Sequence, residues 1–168
     1  LTSLNETIDE ALSIAKYYKR TKSKTIETDY GSDLAPIQAV RDQLVQLFLN
    51  LTLNAIDATG KGGRIRLWTR LVDGHIEARV EDNGHGIRPE DRAKIFQPYY
   101  TTKGNGTGLG LFVSRKIVSD LGGKIDFDSR VGLGTTFVVR LPVSLPTEFA
   151  AAKQTDARVL EVQQPRSN

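Results

Sequence analysis

Three stretches of this chain carry residue types and spacings that could do chemistry. Gly106-Thr107-Gly108-Leu109-Gly110-Leu111 is predicted to open a helix that continues through Phe112, Val113, Ile117 and Val118. Glycines at a helix N-terminus leave N–H groups unpaired and directed at an anion, with the helix dipole assisting. In physical terms this is a phosphate cradle, although Leu111 stands where a dinucleotide fingerprint would need its third glycine, and no Gly-Lys-Ser/Thr occurs. Glu81-Asp82-Asn83-Gly84-His85-Gly86-Ile87 sets two glycines just after an acidic residue, which lets a backbone pass close to a flat ligand or simply turn. Gln46, Asn50, Asn54 and Asp57 recur at spacings of four, four and three. One helical face therefore carries three amides and a carboxylate, which is either a solvated face or a row needing partners.

These residues need elements to hold them. The polar row shares a helix, expected over residues 41–59, with Leu44, Leu47, Phe48, Leu51 and Ala55, whose spacing builds a core-facing stripe. Thr59-Gly60-Lys61-Gly62-Gly63 is expected to stop it, with a glycine in the left-handed cap conformation. Upstream, residues 3–20 read as an amphipathic helix with the stripe Leu4, Ile8, Leu12 and Ala15, and residues 24–30 as a strand. Residues 64–72 and 75–81 alternate around Asp73-Gly74, a hairpin signal. Residues 89–95 read as a short helix with proline in its first turn, and residues 96–105 as a hydroxyl-rich loop or lid. Residues 124–128 and 135–141 read as two further strands. The expected domain spans residues 1–142, and residues 143–168 are expected to form a disordered tail.

Composition narrows the classes. With 168 residues, 39% hydrophobic and 26% charged, the chain is long enough for one globular domain with a real core. A net charge of +3 without an aromatic-interleaved basic patch gives no sign of a nucleic-acid binder. The basic residues between Lys16 and Lys24 read as a solvated helix end. The absence of cysteine removes disulfides, thiolate metal sites and a cysteine nucleophile. No apolar run has the roughly 18 residues of a membrane span. The composition suits the cytosol, and a chain beginning at Leu1 is expected to be a piece of a longer protein, which could itself be membrane-anchored.

Taken in order, these stretches resemble the ATP-binding catalytic domain of sensor histidine kinases. That family shares a superfamily with type II topoisomerases, mismatch-repair ATPases and a heat-shock chaperone. Residues 50–58 are similar to its N box, 82–87 to its first glycine box, and 95–103 to its F box with the lid. Residues 106–111 are similar to the second glycine box, and 132–137 to the last glycine-containing turn. The Asn-Ala-Ile-Asp-Ala and Pro-Tyr-Tyr-Thr-Thr-Lys stretches look most like the nitrogen-regulatory branch.

The resemblance implies an α/β two-layer sandwich: a mixed, mostly antiparallel sheet covered on one face by helices, with an ATP lid. It implies ATP and Mg²⁺ as cofactors. Asn50 and Asn54 would be the catalytic pair, with Asn54 on the metal, and Asp57 would bind the cofactor with them. Asp82 would accept from the adenine amino group, with Gly84, Gly86 and Ile87 along the base and Thr135 supporting it. Thr101, Thr102 and Lys103 of the lid would meet the phosphates, with Lys103 neutralising the γ-phosphate. Gly106, Thr107, Gly108, Leu109, Gly110 and Leu111 would form the phosphate cradle. Where hydrolytic members of the superfamily carry a glutamate that activates water, Asn50 is an amide and cannot act as a base. That favours a kinase.

The implied acceptor is a histidine on an upstream dimerisation domain of the same protein, because His75 and His85 both fall in turns. The next partner in the implied relay is the receiver domain of a response regulator. The fragment is expected to be a monomer and the full-length protein a homodimer. Two rivals share the boxes: an anti-sigma-factor-type serine kinase and a non-catalytic ATP-binding switch.

Overall fold

The computed structural model describes residues 1–143, so the expected disordered tail, beyond Val143, lies outside the described residues. Period-two alternation produces a five-stranded mixed sheet from β1 (Thr25–Tyr30), β2 (Arg64–Val72), β3 (His75–Asp82), β4 (Lys124–Arg130) and β5 (Gly134–Pro142). The strand order is β1-β2-β3-β5-β4. β1 and β2 are parallel and every other pair is antiparallel. Three helices, α1 (Leu4–Ala15), α2 (Arg41–Ala58) and α3 (Gly110–Asp120), cover one face. This is the expected two-layer sandwich. Among the described residues no helix is long and apolar enough to cross a membrane.

The core lies between α2 and the sheet. Leu44, Leu47, Phe48, Leu51 and Ile56 are fully buried and meet Ile65, Leu67, Ile76, Val80 and Val139 from the strands. The alternation that buries these side chains also sets the site. Ile76, Ala78, Val80 and Asp82 form one inward-facing row of β3, and Thr135, Phe137, Val139 and Leu141 form that of β5. Register pairs Asp82 with Thr135 and Ser129 with Thr135. Three neighbouring apolar rows thus end in polar residues at one edge of the core.

The opposite sheet face is more solvated and carries several ion pairs. Glu77, 3% exposed, sits between Arg79 and Arg140, and Arg79 lies 4.5 Å from the ring centroid of Trp68. Burial alone would raise the Glu77 pKa, but the two guanidiniums outweigh it and hold the carboxyl below its usual range.

Several local expectations need correction. α1 stops at Ala15 rather than continuing to residue 20, because the Thr21 hydroxyl takes the Ala15 carbonyl at 2.7 Å and a 3₁₀ turn follows at Lys19–Ser23. The segment 89–95 is not an α-helix: after a 3₁₀ turn at Pro89–Asp91 its bonds span three residues (Lys94 to Asp91, Gln97 to Lys94). α2 ends without a glycine cap. Thr59 is extended, its hydroxyl donates to the Ala55 and Ile56 carbonyls, and the left-handed Gly62 belongs to the turn beyond. The hairpin forms as expected, with positive φ at both Asp73 and Gly74.

Candidate active site

A cleft of about 1100 Å³ opens between α2, the lid segment, the start of α3 and the polar edge of the sheet. Of the residues singled out in the sequence, Asn50, Asn54, Asp57, Asp82, Gly86, Ile87 and Thr135 line it. So do Thr101, Thr102, Lys103, Gly106, Thr107, Gly108, Gly110 and Leu111. Gly84 and Leu109 stand outside the lining.

One part of the cleft holds the buried carboxylate of Asp82. Asp82 is 6% exposed, and its Oδ1 accepts the Gly84 N–H at 2.8 Å. Burial raises its pKa above the ordinary aspartate value, partly offset by the N–H groups of Gly84 and Thr135. Behind it, the Ser129 hydroxyl donates to the Gly134 carbonyl (3.1 Å) and accepts from the Ile87 N–H (2.8 Å). With that hydrogen committed, the 2.9 Å contact between Ser129 and Thr135 has Thr135 as donor. Asp82 is therefore an acceptor set in a rigid hydrogen-bonded wall, able to take an N–H from a buried ligand.

The glycines beside it are packed against protein backbone. A Cβ on Gly84 would lie 2.3 Å from the Ala58 carbonyl oxygen, and one on Gly86 2.3 Å from that of Arg130. Protein backbone occupies the space that side chains would need. Packing of the turn against the end of α2 and the β4–β5 connection explains both positions.

The α2 wall of the cleft is polar and charged. Asn54 and Asp57 project from adjacent turns of α2, and the lid reaches them through Lys103. Its ammonium donates to Asn54 Oδ1 at 3.2 Å and Asp57 Oδ2 at 2.8 Å. Arg20 donates to the other oxygen, Asp57 Oδ1, at 3.0 Å. An amide oxygen beside a carboxylate, both accepting from Lys103, is a set of hard oxygen donors of the type magnesium takes. Among the described residues no group of three or more His, Cys, Asp or Glu side chains is placed to hold a metal ion alone. A magnesium ion here would take its remaining ligands from phosphate and water.

Beside Asn50, α3 begins at Gly110 with Leu109 as its N-cap, and no side chain caps it. Gly106 and Gly108 precede the helix rather than forming its first turn. Gly108, at φ +71°, packs on the Tyr99 backbone. The first-turn N–H groups are thus available at the cleft wall. Asn50 braces this helix start by donating from Nδ2 to the Gly110 carbonyl at 3.2 Å.

The lid is tied down at its base. The Tyr100 hydroxyl donates to Asp91, and Arg88 Nε donates to the other Asp91 oxygen at 2.9 Å. Tyr100 first, then Arg88, hold the Asp91 carboxyl below the usual range. Phe96 packs with Phe127 and Phe137 at centroid distances of 6.0 and 6.4 Å. Sequence reasoning missed Arg20, Ser129, Asp91 and Tyr100. Only Ser129 left a usable signal, since it continues the inward-facing row of Ile125 and Phe127.

Residues 39–145 match the family described as histidine kinase-, DNA gyrase B-, and HSP90-like ATPase. The chain belongs to this family. It is 39% identical over 142 residues to the sensor histidine kinase ZraS of Klebsiella oxytoca, an alignment covering 84% of this chain and 31% of that protein. The nucleotide-free catalytic domain of histidine kinase ThkA superposes with a TM-score of 0.75 at 32% identity, covering 86% of this chain and 97% of that one. Full-length ShkA in complex with AMPPNP matches with a TM-score of 0.76 at 26% identity, covering 86% of this chain and 31% of that one. This member of the ATPase family therefore has the fold of histidine-kinase catalytic domains. It spans less than a third of ZraS.

Proposed function

We propose that this domain binds Mg-ATP in the cleft and supplies its γ-phosphate to a histidine on a dimerisation domain of the parent protein. The observation that carries the reading is the polarity of the cleft. A buried carboxylate acceptor, a cation-holding pair of oxygens and an uncapped helix start all face the same cleft. Asp82 takes the adenine amino group, a contact that the carbonyl of guanine cannot make. Thr135 and Ile87 flank the base. The N–H groups at Gly110 and Leu111, with Gly106, Thr107 and Gly108 before them, meet the phosphates, and Thr101, Thr102 and Lys103 close over them. Asn54 would hold the Mg²⁺, which when bound neutralises phosphate charge. The complex of ShkA with AMPPNP supports the nucleotide.

Asn50 decides what happens next. Its amide is committed to the Gly110 carbonyl and has no basic atom, while the Asp57 carboxylate carries two cations. Nothing among these residues activates water, so bound ATP persists until the acceptor imidazole arrives. ThkA has been solved in complex with the response regulator protein TrrA. The same kind of receiver domain is the downstream partner proposed here, for a cytoplasmic domain of a homodimeric parent.

Incubation with γ-labelled ATP tests the function. The isolated chain should neither label itself nor release phosphate at a significant rate, and the full-length parent should gain an acid-labile, base-stable phosphoryl group. A hydroxyl-linked phosphate, or rapid hydrolysis by the isolated chain, would refute it.

A further inference from the structure

Asp57 lines the cleft with its side chain only 12% exposed, and both of its oxygens are taken. Lys103 of the lid donates to Oδ2 at 2.8 Å, and Arg20 donates to Oδ1 at 3.0 Å. The two cations are held differently. Arg20 stands on the 3₁₀ turn Lys19–Ser23, where Thr21 holds the Ala15 carbonyl. Just past that turn, Lys24 Nζ donates to the Thr59 and Gly60 carbonyls at 2.8 Å each. Those carbonyls directly follow α2, the helix that carries Asp57, so Arg20 and Asp57 belong to one docked unit. Lys103 instead comes from the stretch between Asp91 and Gly110, which contains no helix or strand. Its ammonium is tied to α2 through Asn54 and Asp57.

A carboxylate shared by two cations holds each less firmly than it would hold one alone, because the cations repel each other across it. The pair that is easier to break is the one whose cation sits on an irregular segment. A group that must leave one partner before meeting another loses apparent affinity by the cost of leaving.

We infer that Asp57 is a latch for the lid rather than a ligand of the nucleotide: it competes with the phosphates for Lys103, and Arg20 sets how tightly it holds. This rests on the Mg-ATP reading of the cleft, in which Lys103 meets the phosphates. Asp57 is then a positioning residue that acts through Lys103. When the lysine leaves Oδ2, Arg20 stays on Oδ1, so the carboxylate keeps a counter-charge and no bare anion remains in a cleft that takes an anionic ligand.

Two readouts test this together: amide hydrogen exchange across residues 101–107 without nucleotide, and calorimetric titration with Mg-AMPPNP. Asp57→Asn should speed the exchange and tighten binding about fivefold, the upper range for an ion pair with one half-exposed partner. Arg20→Gln should do the reverse, slowing exchange and weakening binding. In a Lys103→Ala background, Asp57→Asn should change neither readout by more than about twofold. Thermal melts identify any variant that has lost its fold, and if Asp57→Asn has, the opposite-signed effects of Arg20→Gln decide alone. Unchanged or weaker binding by Asp57→Asn would return Asp57 to the nucleotide's ligands or to the surface. Tightening that persists without Lys103 would make it a simple charge repulsion, and unchanged lid exchange in either variant would place the lid's hold elsewhere. Each result overturns the inference and leaves the Mg-ATP reading intact. Failure of the native chain to bind Mg-AMPPNP would overturn that reading, and this one with it.

Discussion

Replacing Asp82 with asparagine separates recognition from folding. The side chain keeps its shape, and the new Oδ1 can still accept the Gly84 N–H that Asp82 accepts at 2.8 Å. The other position becomes an NH₂ donor. A donor facing the adenine amino group loses a charge-assisted hydrogen bond, which contributes about 1.5–3 kcal/mol, and leaves two donors opposed. At 1.4 kcal/mol per decade this predicts a roughly 10- to 100-fold loss of Mg-AMPPNP affinity. The same NH₂ suits the guanine carbonyl, so the preference for the adenine over the guanine analogue should narrow.

Stability should move the other way. Because burial raises the Asp82 pKa, the folded state prefers the neutral form. The stability this group contributes is present at low pH and lost as pH rises through its folded pKa. The neutral asparagine removes that cost at neutral pH, so the variant should be at least as resistant to urea as the native chain. The assay is calorimetric titration with both analogues, alongside urea unfolding. Affinity within twofold of native, in a variant that remains folded, would refute adenine recognition by Asp82. By the same logic native binding should fail in mild acid, as Asp82 protonates, before the fold does.

Lys103→Ala should release the lid from Asn54 and Asp57, speeding amide hydrogen exchange across residues 101–107 and weakening Mg-AMPPNP binding about tenfold. Tyr100→Phe removes a donor to Asp91, whose depressed pKa means its contribution is present above the ordinary aspartate range and lost as pH falls through the folded value. Thermal melts should therefore show the variant below native at neutral pH, with the gap closing in acid. Thr52 is fully buried, and its hydroxyl lacks a hydrogen-bond partner, the one such side-chain atom among the described residues. Thr52→Val should raise the urea-unfolding free energy by about 1 kcal/mol.

The sheet, α2 and the hairpin were legible because their signals are periodic. Alternation predicts strands, and it also places Asp82 and Thr135 on the core-facing side. Glycines were easy to find but harder to interpret. Gly84 and Gly86 could serve a ligand or a turn, and the Ala58 and Arg130 carbonyls against them give a packing reason that spacing alone does not reveal. Arg20 was invisible for a physical reason. Its partner is 37 residues away on another element, and a lysine-rich segment reads as solvated wherever it lies. The Tyr100–Asp91–Arg88 cluster hid in the same way, because an irregular loop has no period to announce which side chains turn inward.

The account's central claim is that the cleft is a Mg-ATP site whose lid cation, Lys103, transfers from protein to phosphate. A crystal structure of the chain grown with AMPPNP and Mg²⁺ tests it most directly. The account predicts the adenine amino group on Asp82, the metal on Asn54 Oδ1, and Lys103 moved from Asp57 to the phosphates. Nucleotide bound elsewhere, or a cleft that holds it with the Lys103–Asp57–Arg20 bridge unbroken, would contradict the account.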